Sequence, residues 1–492
     1  MIEKMKKYTI KFLVGVLALF SLNSCENYLG GDTNIDPTRT SDASLNTLLP
    51  TVLFYTAQNT YANAFVSGQY TQQLGNVAAG GTDSQLRNEF GTQWVNLYLN
   101  VIPNCNVILK KAEESNSPHY AGIAKIVLAY NLGLAATTWE NVPFTEADNN
   151  LTNLAPKYDS QEAIYATVQR LLTEAIADLG QTTSLFSPTT DDLSYRGDRT
   201  KWVKLAHTLR ARYLLHTAKK QGAAAYATIL ASLQNGMTSN ADDFQVVFNE
   251  RNFNPWHSLA LANNTGNLSV TFGGTFMDYM NGTISGVVDP RVALTANKTG
   301  SDPIYRGTTP GRGSAGSNTT FNDRTNFYGW FCRVDAPIIM MSYSEAKFIE
   351  SEVRFLQNGG SATSQGSTAE AYQAYLAGIK ANMDKVGVSA ANSEAFLAHE
   401  SVALGESKLT LSAILIEKYK ALFTNPEAWV DLRRNEHNPA IYTGLELPEN
   451  HNVELNGNWI ARGAYPSSET SRNSEVAKAN FKALDTKMWL FN

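Results

Sequence analysis

Cysteine is nearly absent from the chain: three in 492 residues, at positions 25, 105 and 332. That excludes a disulfide framework and leaves at most one bond, between residues too far apart in sequence to argue for it. Charge is also sparse, at 17% of residues, with a formal balance of −5 and no basic patch or nucleic-acid motif. A nucleic-acid partner is therefore not expected. No HExxH, no GxSxG and no His/Cys cluster with metal-ligand spacing occurs, so the sequence singles out no hydrolytic centre. No EF-hand loop is present; no cofactor is expected, and whether a structural calcium is bound stays open. Beyond the first 24 residues, no hydrophobic run looks long enough to span a bilayer.

What is present begins with a short export signal. Lys4, Lys6, Lys7 and Lys11 precede the apolar run FLVGVLALF, which is too short for a membrane helix. Leu22-Asn23-Ser24-Cys25 then resembles a bacterial lipobox, in which the cysteine is acylated and becomes the first residue of the mature chain. The expectation is a signal peptide over residues 1–24, lipidation at Cys25, a tether over 25–44 and a folded unit over 45–492. Such a protein is held to a membrane by lipid and is otherwise soluble.

Along the folded unit, apolar stripes recur at the 3.6-residue helical period. One runs Trp94, Leu97, Tyr98, Val101, Cys105, Ile108, Leu109, with Pro103 as a kink and Cys105 as a buried thiol. Others mark 120–138, 160–179, 200–218, 342–357, 369–386 and 408–423. Asp159 and Glu162 offer a capping box for the third of these helices. The stripes predict antiparallel pairs over about 92–138, 160–218, 342–386 and 408–435. Pairs of this kind stack because neither helix buries its face alone. The fold class is therefore mainly α, a helix-pair scaffold with long irregular insertions over about 64–90, 236–335 and 436–492. Loops of that length are uncommon unless they bind something.

The stretch LFTNPEAWVDLRRN, residues 422–435, sets two acids beside two guanidiniums and could be read as an active site. Helix geometry explains it without chemistry. Asn425 is an N-cap and Pro426 a first helical residue. Trp429 anchors the turn to the preceding helix, and Asp431 with Arg434 makes an i, i+3 surface pair.

Taken together, the lipobox at Cys25 followed by NIDPT, the WVNLYLNVIPNCNVI helix, PKYDSQEAIY, GDRTKWVKLAHTLRARYLL, MSYSEAKFIESEV, EKYKALFTNPEAWVDLRR and ARGAYPSSE resemble the SusD/RagB family, more closely its SusD-like branch 2. The resemblance implies a tetratricopeptide-like helical scaffold and an outer-membrane lipoprotein facing the cell exterior. It also implies a glycan ligand and a SusC-like TonB-dependent transporter as partner, with no catalysis.

A sugar site needs flat aromatics for C–H faces and planar polar groups for hydroxyls. The 64–90 segment supplies Tyr70, Gln72, Gln73, Asn76, Asp83, Gln85 and Arg87; the 300–335 segment supplies Tyr305, Arg306, Tyr328 and Trp330. From these, Tyr70, Gln72, Asn76, Asp83, Arg87, Tyr305, Tyr328 and Trp330 are the candidate ligand residues. Gly329 permits a tight turn that exposes Trp330. Two rivals remain: a peptide-uptake lipoprotein of the same family, and an exported glycoside hydrolase, for which no carboxylate pair stands out.

Overall fold

The computed structural model describes Met5 and residues 43–147, 153–266, 269–298, 304–313 and 325–492. Cys25, the signal peptide and most of the tether lie outside the described residues. The account below concerns the unit Leu45–Asn492.

The scaffold is helical. It opens with α1 (Leu45–Tyr70), then α2 (Gly91–Asn96), α3 (Ile102–Glu114), α4 (Pro118–Trp139), α5 (Gln161–Leu179), α6 (Arg199–Gln221) and α7 (Ala224–Gln234). After an insertion it continues through α8 (Pro255–Asn264), α9 (Gly274–Met280) and α10 (Val292–Thr295). It resumes with α11 (Tyr343–Gln357), α12 (Ala369–Val386), α13 (Ala390–Leu397), α14 (Leu411–Ala421) and α15 (Glu427–Arg434), and ends in two short turns, α16 (Ser467–Arg472) and α17 (Ser474–Ala479). The expected pairs are present, and each packs on the next, most closely α4 on α5 and α11 on α12.

Helix α4 shows why. It is apolar on every side and long enough to cross a membrane, yet nearly all of it is buried inside the protein. Apolar character all round marks a central helix. Its glycines let neighbours approach: a Cβ on Gly133 would sit 2.3 Å from the Tyr213 ring on α6, and one on Gly122 would sit 2.6 Å from Leu179 on α5.

Several local readings change. The 64–90 segment is not a loop throughout, because α1 continues to Tyr70. The kink at Pro103 takes the form of a π-helical turn over Leu97–Val101, between α2 and α3. Proline cannot donate to the carbonyl four residues back and its ring clashes there, so the chain widens before it. Helix α5 is capped by Ser160, which accepts from Ala163 N at 3.2 Å. Asp159 faces the other way and accepts from Phe144 N and Thr145 N, both at 2.9 Å. No Asp159–Glu162 box forms.

Three short antiparallel ladders tie the insertions to the scaffold. β1 (Leu74–Asn76) pairs with β3 (Val270–Phe272), Leu74 opposite Phe272. β2 (Phe244–Val247) pairs with β6 (Pro337–Met341), Val246 opposite Ile338, with a register irregularity at Phe244/Gln245. β4 (Ala296–Asn297) pairs with β5 (Asn326–Phe327). Both free cysteines are unbonded, Cys105 in the core and Cys332 half-buried.

Candidate functional site

The 422–435 stretch is scaffold, and more deeply so than a surface pair. Asn425 Oδ1 accepts from Glu427 N at 3.0 Å, the expected cap. Trp429 stacks on Phe90 with ring centroids 5.8 Å apart and sits 5.3 Å from Tyr70, with the Arg433 guanidinium 3.5 Å over its other side. Asp431 and Arg434 do pair, at 2.7 Å, but both are buried and belong to a wider network. Lys418 reaches Asp431 at 2.7 Å, and Arg434 reaches Glu352 at 2.5 Å.

Glu427 lies 2.5 Å from His216, whose other ring nitrogen is 2.8 Å from the Tyr165 hydroxyl. Burial opposes the charge on Glu427, but His216 and then Arg212 outweigh it and hold the carboxyl below its ordinary range. The cavity beside this cluster is about 10 Å³, about what one water molecule needs. That volume leaves no room for a sugar ring beside Glu427.

Of the eight candidate ligand residues, three are internal. Tyr70 is 0% exposed and donates to Leu86 O at 2.7 Å. Gln72 is buried, donating to Glu446 O and accepting from Thr275 Oγ1. Asp83 is 0% exposed and accepts from Asn76 N at 3.0 Å and Gly311 N at 3.1 Å. Burial raises its pKa, against which those N–H groups pull. These side chains satisfy backbone groups that a long irregular segment would otherwise leave unpaired. Asn76 is half-buried and bonded to Gln69 and Asp83. Tyr305 is half-buried, with the Lys298 ammonium 4.9 Å over its ring.

The remaining three separate into two places. Tyr328 is 56% exposed, and Trp330 is half-buried beside it in sequence, on a 3₁₀ turn over Gly329–Cys332. Gly329 has φ +69°, and a Cβ there would meet Leu294 O at 2.2 Å, so only glycine fits. The turn is locked to α8: Asn254 Nδ2 donates to Phe331 O and Ala336 O, and His257 Nδ1 lies 2.9 Å from Cys332 O. Exposed Phe253 meets the His257 ring edge-on at 5.6 Å. Arg333 lies 5.9 Å from the Trp330 ring centre and pairs with Asp335 at 3.1 Å. Trp330 also closes a cavity of about 20 Å³ with Ile339, Val386 and Phe423, so it has more apolar neighbours than its Gly- and Asn-rich sequence suggested. This face offers stacking surfaces beside a planar donor and a planar acceptor. Phe253 and His257 were not legible as its neighbours, because they lie about 75 residues from the turn; Arg333 follows the turn directly and was passed over.

Arg87 lies elsewhere, on a cavity of about 240 Å³ formed with residues 454–484. That cavity and the one under Trp330 share no lining residue. Among the described residues, no group of three or more His, Cys, Asp or Glu side chains is placed to hold a metal ion.

The family model described as "Starch-binding associating with outer membrane", SusD-like branch 2, matches residues 37–466. A SusD/RagB family protein from Bacteroides thetaiotaomicron superposes with a TM-score of 0.73 at 19% identity, covering 92% of this chain and 99% of its own. A chitin-binding protein gives 0.75 at 22% identity, covering 91% and 100%. A chitin-binding SusD homologue from Flavobacterium johnsoniae gives 0.71 at 19%, covering 90% and 98%. No curated protein matches the chain.

Proposed function

This chain belongs to the SusD-like family, and on that premise we propose that it is a cell-surface lipoprotein that captures oligosaccharide and passes it to a SusC-like TonB-dependent transporter. The observation that carries the glycan reading is the aromatic face around the 3₁₀ turn. Tyr328, Trp330 and Phe253 present ring surface on segments pinned by Asn254 and His257, with the Arg333–Asp335 pair alongside. Sugars stack their C–H faces on such rings and share hydroxyls with planar polar groups. A preorganised face loses little entropy on binding. Two structural neighbours described as chitin-binding support the same class of ligand.

The protein acts by binding. The Glu427 cluster opens only on a cavity of about 10 Å³, which favours this reading over a hydrolase. Lipid at Cys25 supplies the anchor, and the outer membrane is the proposed location, with the binding face outward. A SusC-like partner should co-purify from detergent-solubilised outer membranes as a large β-barrel protein.

The test of the ligand reading is retardation in native gels loaded with a glycan panel. At least one glycan should slow the wild type without being cleaved. Trp330→Ala should weaken that interaction by about 1–3 kcal/mol, the scale of a ring stacking on an aromatic. Retardation by no glycan would redirect the search to peptides.

A further inference from the structure

The cavity at Arg87 has a different chemistry from the Trp330 face. Two of its lining residues, Arg462 and Lys482, belong to an ion cluster around buried Glu140. Glu140 Oε2 accepts from Arg462 Nη1 at 2.7 Å and lies 2.8 Å from Lys482 Nζ, while Oε1 accepts from Trp489 N at 2.6 Å. Two cations thus share one carboxylate, and the cluster keeps a net positive charge. Arg462 is fixed by further bonds to Thr486 O and Lys487 O. Lys482 is less confined, with 43% of its side chain exposed.

Arg87 also lines the cavity, and its contact to Glu89 is long, at 3.4 Å, and open to solvent. Among the residues lining the cavity, Arg87, Arg462 and Lys482 face a single acid, Glu454. Apart from Thr470, the rest of the wall is aromatic or small and apolar. Tyr465 is held by its hydroxyl bond to Asn141 O at 2.8 Å, and Phe481 is 71% exposed at the rim. The Phe481 ring is thus open to contact by whatever enters the cavity.

Resting on the glycan-binding reading, we infer that this cavity is a second subsite, which takes one carboxylate-bearing sugar unit, a uronic acid. The carboxylate lies between Lys482 and Arg87, and the ring lies along Phe481 and Tyr465. The volume of about 240 Å³ suits one ring rather than a chain. A neutral sugar would bring no negative charge to Lys482 and Arg87, which stay partly exposed beside their pairs with Glu140 and Glu89. A bare carboxylate would leave Phe481 uncovered.

The experiment is calorimetric titration of the full-length, detergent-solubilised protein with D-glucuronate and D-galacturonate. D-glucose, D-galactose and acetate serve as comparisons. A uronate should bind at least about tenfold more tightly than both its neutral counterpart and acetate, the factor expected for a hydrogen-bonded charged group. Raising the salt should weaken it, because both cations are partly exposed. Lys482→Gln and Arg87→Gln should each lose about tenfold for the uronate and nothing for a neutral oligosaccharide bound at Trp330. Arg87 carries no buried contact, so that variant folds whatever Lys482→Gln does. Equal affinity for uronate and neutral sugar, or uronate binding unchanged in Arg87→Gln, overturns the inference. Trp330-dependent binding of a neutral glycan with no uronate binding sinks the cavity alone. Binding of no glycan at all sinks both readings.

Discussion

Replacing Trp429 with alanine tests whether the acidic and basic run at 422–435 is framework or site. Trp429 is 2% exposed. Its indole touches Tyr70 at the end of α1, stacks on Phe90 at the entry to α2, and carries the Arg433 guanidinium at 3.5 Å. Truncation removes the ring from all three and leaves a cavity that the surrounding helices only partly fill. Core Trp→Ala changes cost about 3–5 kcal/mol. The upper part of that range is expected, because Arg433 loses an aromatic face while staying buried. Its remaining bonds, to Thr137 O at 2.8 Å and Ala461 O at 2.9 Å, still hold it in place. Urea unfolding monitored by circular dichroism gives the stability, and glycan-gel retardation of the folded fraction gives the binding. The expected result is a midpoint shifted far down at an unchanged slope, with binding intact. A loss of less than about 1 kcal/mol would refute the burial argument. Wild-type stability with abolished binding would make the stretch a site.

Lys418→Met should cost about 3–5 kcal/mol in the same assay, because it strands Asp431 and Glu352 with only Arg434 to answer them. His437 stacks on Trp459 at 4.5 Å; burial, then Arg433, lowers its pKa from 6.5 to about 3. A depressed folded pKa stabilises above the unfolded value, so stability should fall as pH drops from 6.5 towards 3, and His437→Asn, which tolerates the local φ of +49°, should flatten that slope. Cys25→Ala should leave the fold intact and release the protein from the membrane fraction; retention at high salt would overturn the lipobox reading.

Stripes were legible where one helix face is apolar and the other wet, and so was the Asn425 cap, while the cap of α5 lies one residue further on, at Ser160. Helix α1 was not, although it is 26 residues long. Its buried positions include Thr56, Asn59, Thr60 and Asn63, which a pattern search scores as solvent-facing. In the fold, Asn59 donates to Asn131, Asn63 donates to Gln93, and the Thr60 hydroxyl lies 2.8 Å from Tyr130. Buried polar groups are tolerated once paired, and their partners lie 30 to 72 residues away. The same physics misled the site reading. Tyr70, Gln72 and Asp83 have the side chains a sugar site wants, but the first shift of any long irregular segment is to satisfy its own backbone. The turn at Gly329 was legible because a glycine is a local cue, although the turn leaves Trp330 half-buried rather than exposed. The cavity at Arg87 had none, since its walls come from opposite ends of the chain.

That contrast bears on how a scaffold can carry changing ligands. The ion clusters at Glu427, Asp431 and Asp289 lie where helix ends meet and are buried. Asp289, for example, is held by Arg291 at 2.5 Å and Lys420 at 3.4 Å, and Glu417 completes the set. Such clusters add less stability than well-packed apolar residues would, but they accept few alternative arrangements. They fix the angle between one helix pair and the next, and so the positions from which the insertions leave. The aromatic face and the Arg87 cavity both draw on insertions, pinned by side chains such as Asn254 and Arg462 and resting on scaffold residues such as Phe423 and Trp139. On the proposed reading, substitutions there should change what is bound without disturbing the pairs beneath. A substitution in the 422–435 cluster changes whether there is a fold to bind with.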